Sequence, residues 1–191
     1  MLEKLPAALG NALRDKRPGL KALVSAGDGI AAAATMLDVT SPAFGEGSPI
    51  PALYTADGAG LSPPLAWTGV PREAAGLVLV IEDADSPTPA PLVHAIVIDL
   101  AAEDGLLAEG ALAGPAGAGQ EHAMGRNSFL RAGYLPPDPP PGHGPHRYAF
   151  QLFALDVPVA LEGTPGRSAV VELLRGHVLA RGILIGTFER P

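Results

Sequence analysis

Two aspartates, two histidines and a tyrosine carry the chemistry this sequence could perform. Asp83 and Asp85 close the apolar run 77–82, and in extended backbone residues two apart point to the same side. His94 opens the next apolar run after the stiff connection Ser86-Pro-Thr-Pro-Ala-Pro-Leu92, and His146 with Tyr148 opens a third. If the first two runs are antiparallel neighbours, the aspartates and His94 share one end of a sheet. A third strand beside them gathers two carboxylates, two imidazoles and a phenol at one rim. Such a rim suits anion binding through N–H and O–H donors, general acid–base hydrolysis, or a divalent metal.

Each element also has a plainer reading. A D-x-D can be a side-chain-capped turn, and His94 can be a hydrogen-bonded core histidine. The run Pro136-Pro-Asp-Pro-Pro-Pro141-Gly142 can be a rigid surface loop or a polyproline-type recognition segment. Arg147 most simply forms a salt bridge that holds its loop. His122, His143 and His177 attract no partner by spacing and are read as surface or structural. Hydrolysis lacks a nucleophile: no serine lies in a G-x-S-x-G setting, and neither Ser86 nor Ser128 has a base beside it in the sequence.

The elements that must position these groups are mostly strands. Short apolar segments separated by proline and glycine predict strands at 36–40, 77–82, 95–100, 148–155 and 183–188. The segments 77–81 and 95–98 do not alternate, so both faces of their sheet are covered. Val170, Val171, Leu174 and Val178 follow a helical period and predict one helix over 168–180, capped near Ser168 and closed by Gly182. Long loops fall at 41–75, 101–125 and 126–145. Before all of this, Leu2, Leu5, Leu9, Leu13, Leu20 and Leu23 mark an amphipathic helix pair broken at Pro18-Gly19. The reading is an N-terminal helical arm over 1–34 and a β-rich domain over 35–191. The arm's apolar stripe needs a cover, either its own domain or the arm's partner in a second copy; because the domain looks complete without it, a homodimer is the expectation.

Composition bounds the partners. The chain has 191 residues, 47% of them hydrophobic and 17% charged, which excludes global disorder. A formal charge of −7 makes nucleic acid an unfavourable partner. Without cysteine there is no disulfide, no thiol nucleophile and no Cys-based zinc site. No apolar run is long enough to span a bilayer, and charges at Glu3, Arg14, Asp15, Lys16 and Arg17 interrupt any signal peptide. A cytoplasmic location is expected.

The order of the motifs is more specific than any one of them. Asp83-Ala-Asp-Ser-Pro87, a histidine opening a buried strand, and a proline-glycine loop running into Gly144-Pro-His-Arg-Tyr148 resemble the phosphatidylethanolamine-binding protein family, also called Raf kinase inhibitor-like proteins. Thr40-Ser-Pro-Ala-Phe44, Ile50-Pro51, Tyr54-Thr55, Asp57-Gly58, Ser62-Pro-Pro-Leu65, Trp67, Gly69-Val-Pro71, Gly125-Arg-Asn127 and Gly133-Tyr134 follow the order of its bacterial branch. The resemblance covers about 38 to 190; Ala84 departs from it where the family commonly has proline, and residues 1–30 lie outside it.

The resemblance implies a mainly β fold with peripheral helices: a two-layer domain with a large central sheet and a smaller second sheet. It also implies a shallow anion pocket lined by Asp83, Asp85, His94, Pro140, His146 and Tyr148, with no cofactor. Imidazole and phenol would donate to a phosphate oxygen while an aspartate fixes a histidine tautomer. Because the aspartates repel a dianion, a monoanion or a zwitterionic head group is the expected ligand. Binding without turnover is the favoured function, with an inhibitory or scaffolding role toward a kinase or protease implied by the family; a hydrolase or a metal-binding protein is the alternative.

Overall fold

Residues 77–81 lack polar alternation because both faces of their strand are buried, and the architecture follows from what covers each face. The computed structural model describes residues 6–30, 35–112 and 122–191. Its strands are β1 (Thr35–Met36), β2 (Asp38–Thr40), β3 (Leu65–Thr68), β4 (Gly76–Asp83), β5 (Leu92–Leu100), β6 (Gly105–Leu107), β7 (His146–Leu155) and β8 (Val178–Phe188). Its α-helices are α1 (Ala7–Leu13) and α2 (Arg167–Leu174). The large sheet has the order β1-β8-β7-β4-β5 and the small one β2-β3-β6. All pairings are antiparallel except β1 with β8. The fold is therefore mainly β, with a large and a small sheet, as the resemblance implied.

Alternation along β4 sends Leu77, Leu79 and Ile81 toward the small sheet, where they join Val39, Trp67, Phe150 and Leu152 in the main core. Val78 and Val80 point the other way and pack with Phe153, Val170, Leu174, Val24 and Ile30. The second face is thus covered partly by α2 and partly by the N-terminal segment.

That cover corrects the sequence reading of residues 1–34. The expected helix pair is one short helix, α1, followed after Pro18-Gly19 by two 3-10 turns, Leu20–Ala22 and Val24–Ala26. Leu2 and Leu5 lie outside the described residues. Leu23, Val24 and Ile30 are buried, so the core includes part of this segment. A buried polar network fastens it. Glu82 accepts hydrogen bonds from Val24 N (2.9 Å), Gln151 Nε2 (2.8 Å) and Arg167 Nε (2.7 Å), and Gln151 Oε1 accepts from Ser25 N (2.8 Å).

Two further expectations change. The helix predicted to run to residue 180 ends at Leu174, and residues 178–180 belong to β8. Val178 packs against the same apolar cluster as Val170 and Leu174, so its hydrophobicity fits the helical period while its backbone is extended. The cap is Gly166 without a side-chain bond, and Gly182 pairs with Leu152 inside the sheet. The predicted strand 36–40 is interrupted at Leu37, which splits it between the two sheets. β3 and β6, three or four residues each, lie in segments read as loops.

Candidate functional site

Adjacency of β7, β4 and β5 brings the predicted residues to one end of the large sheet. Asp83, the last residue of β4, stands opposite Tyr148 on β7 and Leu92 on β5. His146 is the first residue of β7. His94 reaches the same side by an irregularity. Ile81 pairs with Ala95 and Glu82 with Val93, so His94 is an extra residue on β5, a β-bulge. Bulges turn a side chain out of strict alternation. Here Val93 and Ala95 serve opposite faces, and His94 between them packs edge-on against Tyr148, with ring centroids 5.2 Å apart at 83°.

Hydrogen bonds join His146 to a residue that spacing had left without a partner. Its Nδ1 is 2.7 Å from Asp83 Oδ2 and its Nε2 is 2.7 Å from Nδ1 of His143. His143 Nε2 lies 2.8 Å from the carbonyl oxygen of Leu13, at the end of α1. A carbonyl only accepts, so His143 carries its hydrogen on Nε2. Its Nδ1 also faces Arg17 Nη2 at 3.4 Å and is therefore the acceptor for His146 Nε2–H. Three contacts need three hydrogens and two neutral imidazoles supply two. The third lies between His146 Nδ1 and Asp83 Oδ2, so both nitrogens of His146 are engaged. Burial and the neighbouring His146 charge hold the His143 imidazole below its usual range, consistent with its neutral role.

Positive φ at Gly142 (75°) and Gly144 (89°) folds the proline loop back, placing His143 against His146. The loop is held elsewhere by Arg190, which donates to Asp138 Oδ1 (2.5 Å) and Pro139 O (2.8 Å) and also binds Asp57.

Asp85 does not join the group. It is buried and faces Arg147, accepting from its N (2.9 Å), Nε (2.7 Å) and Nη2 (2.7 Å), with Arg17 Nη1 at 3.4 Å. Burial pushes its carboxyl up, but the Arg147 hydrogen bonds and charge, aided by Arg17, leave it below the usual carboxylate range. The salt bridge read for Arg147 is therefore present, and Asp85 is its partner rather than part of the pocket lining.

Between the strand ends and the proline loop lies a cavity of about 50 Å³, lined by Asp83, His94, Phe129, Asp138, Pro140 and His146 among others. That is room for a few waters or one small oxyanion. Tyr148 lies behind this lining, stacked on His146 at 6.3 Å. Two buried side-chain atoms here have no hydrogen-bond partner, His94 Nε2 and Tyr148 OH. His94 Nδ1 is 2.6 Å from the Leu135 carbonyl oxygen. Burial, with the Asp83 charge, pushes the Tyr148 phenol well above its ordinary value, so it keeps its proton. Sequence reasoning missed His143, Asp138, Leu135 and Arg190. The glycines flanking His143 were the one signal pointing to its turn.

Among the described residues no group of three or more His, Cys, Asp and Glu side chains is arranged to hold a metal ion, and no helix is long and apolar enough to cross a membrane. Comparison with known proteins fits this geometry. A UPF0098 protein of Chlamydia trachomatis is 40% identical over 159 residues, 81% of this chain and 99% of the relative. A Mycobacterium tuberculosis protein with a lipoprotein name, LppC, is 40% identical over 161 residues, covering 83% of this chain and 75% of the relative. The crystal structure of the CT736 homologue of phosphatidylethanolamine-binding proteins from Chlamydia trachomatis superposes with a TM-score of 0.73 at 38% identity, covering 83% of this chain and 100% of that one. Escherichia coli YbcL, described as a member of the mammalian family, gives 0.75 at 25% identity, over 82% and 100% of the two chains. The phosphatidylethanolamine-binding protein profile matches residues 40–189. With a family-wide match across the domain that carries the pocket, the chain belongs to the phosphatidylethanolamine-binding protein family.

Proposed function

We propose that this protein binds a small oxyanionic group, as presented by a phosphate head group or an acidic side chain of a protein partner, and does not turn it over. The observation that carries this reading is a pair of buried, unpartnered polar atoms, Nε2 of the cavity-lining His94 and the hydroxyl of Tyr148, whose ring packs against His94 and His146. His146 offers no free donor, because both of its nitrogens are engaged. Membership of the family supports a binding or scaffolding role generally, and a kinase or protease as the protein partner is the finer part of the proposal.

Hydrolysis is disfavoured by the hydroxyl geometry. Ser86 Oγ hydrogen-bonds to Thr88 Oγ1 (2.6 Å), and Ser128 Oγ accepts from Val93 N (2.8 Å). Neither is bonded to a histidine that could act as its base. A homodimer remains part of the proposal, supported by Leu9 on α1, which is 44% exposed. The cytoplasmic location is proposed on the sequence alone.

The test is calorimetry with O-phosphoethanolamine and inorganic phosphate on the intact protein. Binding is expected, weakened by His94→Ala and by Tyr148→Phe. Unchanged affinity in both variants would remove the pocket from the interaction.

A further inference from the structure

The hydrogen bonds around His94 limit what it can offer an anion. Its Nδ1 faces the Leu135 carbonyl oxygen at 2.6 Å, and since a carbonyl only accepts, the ring hydrogen of neutral His94 is on Nδ1. Nε2 then carries a lone pair, buried and without a partner, on a residue that lines the cavity. An anion placed against a lone pair is repelled.

The groups facing His94 include one free hydroxyl, that of Tyr148, but no uncompensated positive charge. Asp83 from β4 is negative. His146 from β7 is committed to Asp83 and His143, and Tyr148, also on β7, is a neutral phenol. Asp138 in the proline loop is negative, and Arg190 behind it is shared between Asp138 and Asp57. Each nearby cation is already balanced by a carboxylate. A bare anion would bring uncompensated charge into a buried space, at a steep desolvation cost.

We propose that the pocket takes up an anion only together with one proton, drawn from solvent onto His94 Nε2, so that its ligands are small monoanionic oxyanions bound as the equivalent of their acids. This rests on the reading of the pocket as an anion site. One N–H bond forms at Nε2, the proton coming from hydronium, and the new imidazolium donates to the ligand oxygen while Nδ1–H stays on Leu135. Charge in the cavity is unchanged when both have entered. Burial pushes the His94 imidazole below its usual range despite the nearby Asp83 charge, so the unliganded protein lacks this proton near neutral pH.

Linkage sets the sign. Between the His94 pKa of the free protein and its higher value in the complex, affinity falls by about tenfold for each unit that pH rises. The probes are methanesulfonate and dimethyl phosphate, which carry no titrating proton of their own in this range, so any linked proton belongs to the protein. Calorimetry in two buffers of different ionisation enthalpy should show uptake of about one proton per anion bound at neutral pH. In His94→Gln the amide can donate without titrating, and uptake and pH slope should both vanish. On the wild-type protein, the 15N resonance of His94 Nε2 should move from the unprotonated to the protonated range on adding either anion, a readout independent of whether the variant folds. Anion binding without proton uptake, or uptake that persists in folded His94→Gln, would overturn the inference while leaving the pocket an anion site. Failure of both probes and of phosphate to bind would instead overturn the functional reading beneath it.

Discussion

Asp83 and Asp85 are both buried at the end of β4, one against an imidazole and the other against a guanidinium, so identical side chains two residues apart serve different ends. Removing the charge of Asp85 in Asp85→Asn leaves the 40% exposed Arg147 half-paired and, discounted for its exposure to water, should cost on the order of 1–2 kcal/mol. Chemical denaturation measures it. Because the folded-state pKa of Asp85 is depressed, its contribution is present above the unfolded value of about 3.8 and is lost as pH falls through the folded one. The stability gap between wild type and variant should therefore close in acid. Anion affinity of the variant should stay within about twofold, since Asp85 does not line the cavity. A tenfold loss would return Asp85 to the site.

At the scale of elements, the connection of interest runs from α1 to the pocket. α1 sits against the proline loop through Gly10, its one buried residue; a Cβ there would lie 2.0 Å from the Pro141 carbonyl oxygen and 2.8 Å from His143 N. These are backbone atoms that cannot step aside cheaply. Gly10→Ala should unseat α1, and limited proteolysis with trypsin should then cut faster at Arg14 or Lys16. Cleavage at the wild-type rate would show that α1 is not held by this approach. Loss of the seat also frees His143 Nε2 from Leu13, which is the element-level route by which the N-terminal segment supports the His146–Asp83 pair. Further along, Glu82 joins the second 3-10 turn to β7 and α2, accepting one hydrogen bond each from Val24 N, Gln151 and Arg167. Glu82→Gln breaks its ion pair with Arg167, and thermal unfolding should report a loss on the order of 3 kcal/mol.

For the whole molecule, the N-terminal segment lies outside the family match at 40–189, yet Val24 and Ile30 belong to the core. A chain beginning at Ala33 would lose Leu23, Val24 and Ile30, at ~1.5–3 kcal/mol for each buried side chain, or roughly 5 kcal/mol or more together. Its denaturation midpoint should drop accordingly, and an unchanged midpoint would show that the segment is dispensable. The proposed dimer needs a milder cut. Light scattering on the full chain should give twice the monomer mass, reverting to the monomer when the chain begins at Lys16. A monomeric full chain would end that proposal.

Residue type and order were enough to place the mainly β architecture, the buried strands β4, β5 and β7, and four residues at one strand rim: Asp83, His94, His146 and Tyr148. They suffice because alternation and its absence report burial locally, and the Asp-x-Asp and His-Arg-Tyr blocks are contiguous in the chain. Which nitrogen of which histidine is free was decided only in three dimensions. His94 depends on a bulge defined by the register of a neighbouring strand, His143 on a turn that meets His146 and a carbonyl 130 residues away, and Asp85 on a guanidinium from another strand. The burial of Leu23, Val24 and Ile30 was hidden for the same reason. A short apolar segment looks alike whether it covers its own sheet or a second copy, and the polar side chains that settle it, Glu82, Gln151 and Arg167, come from distant parts of the chain.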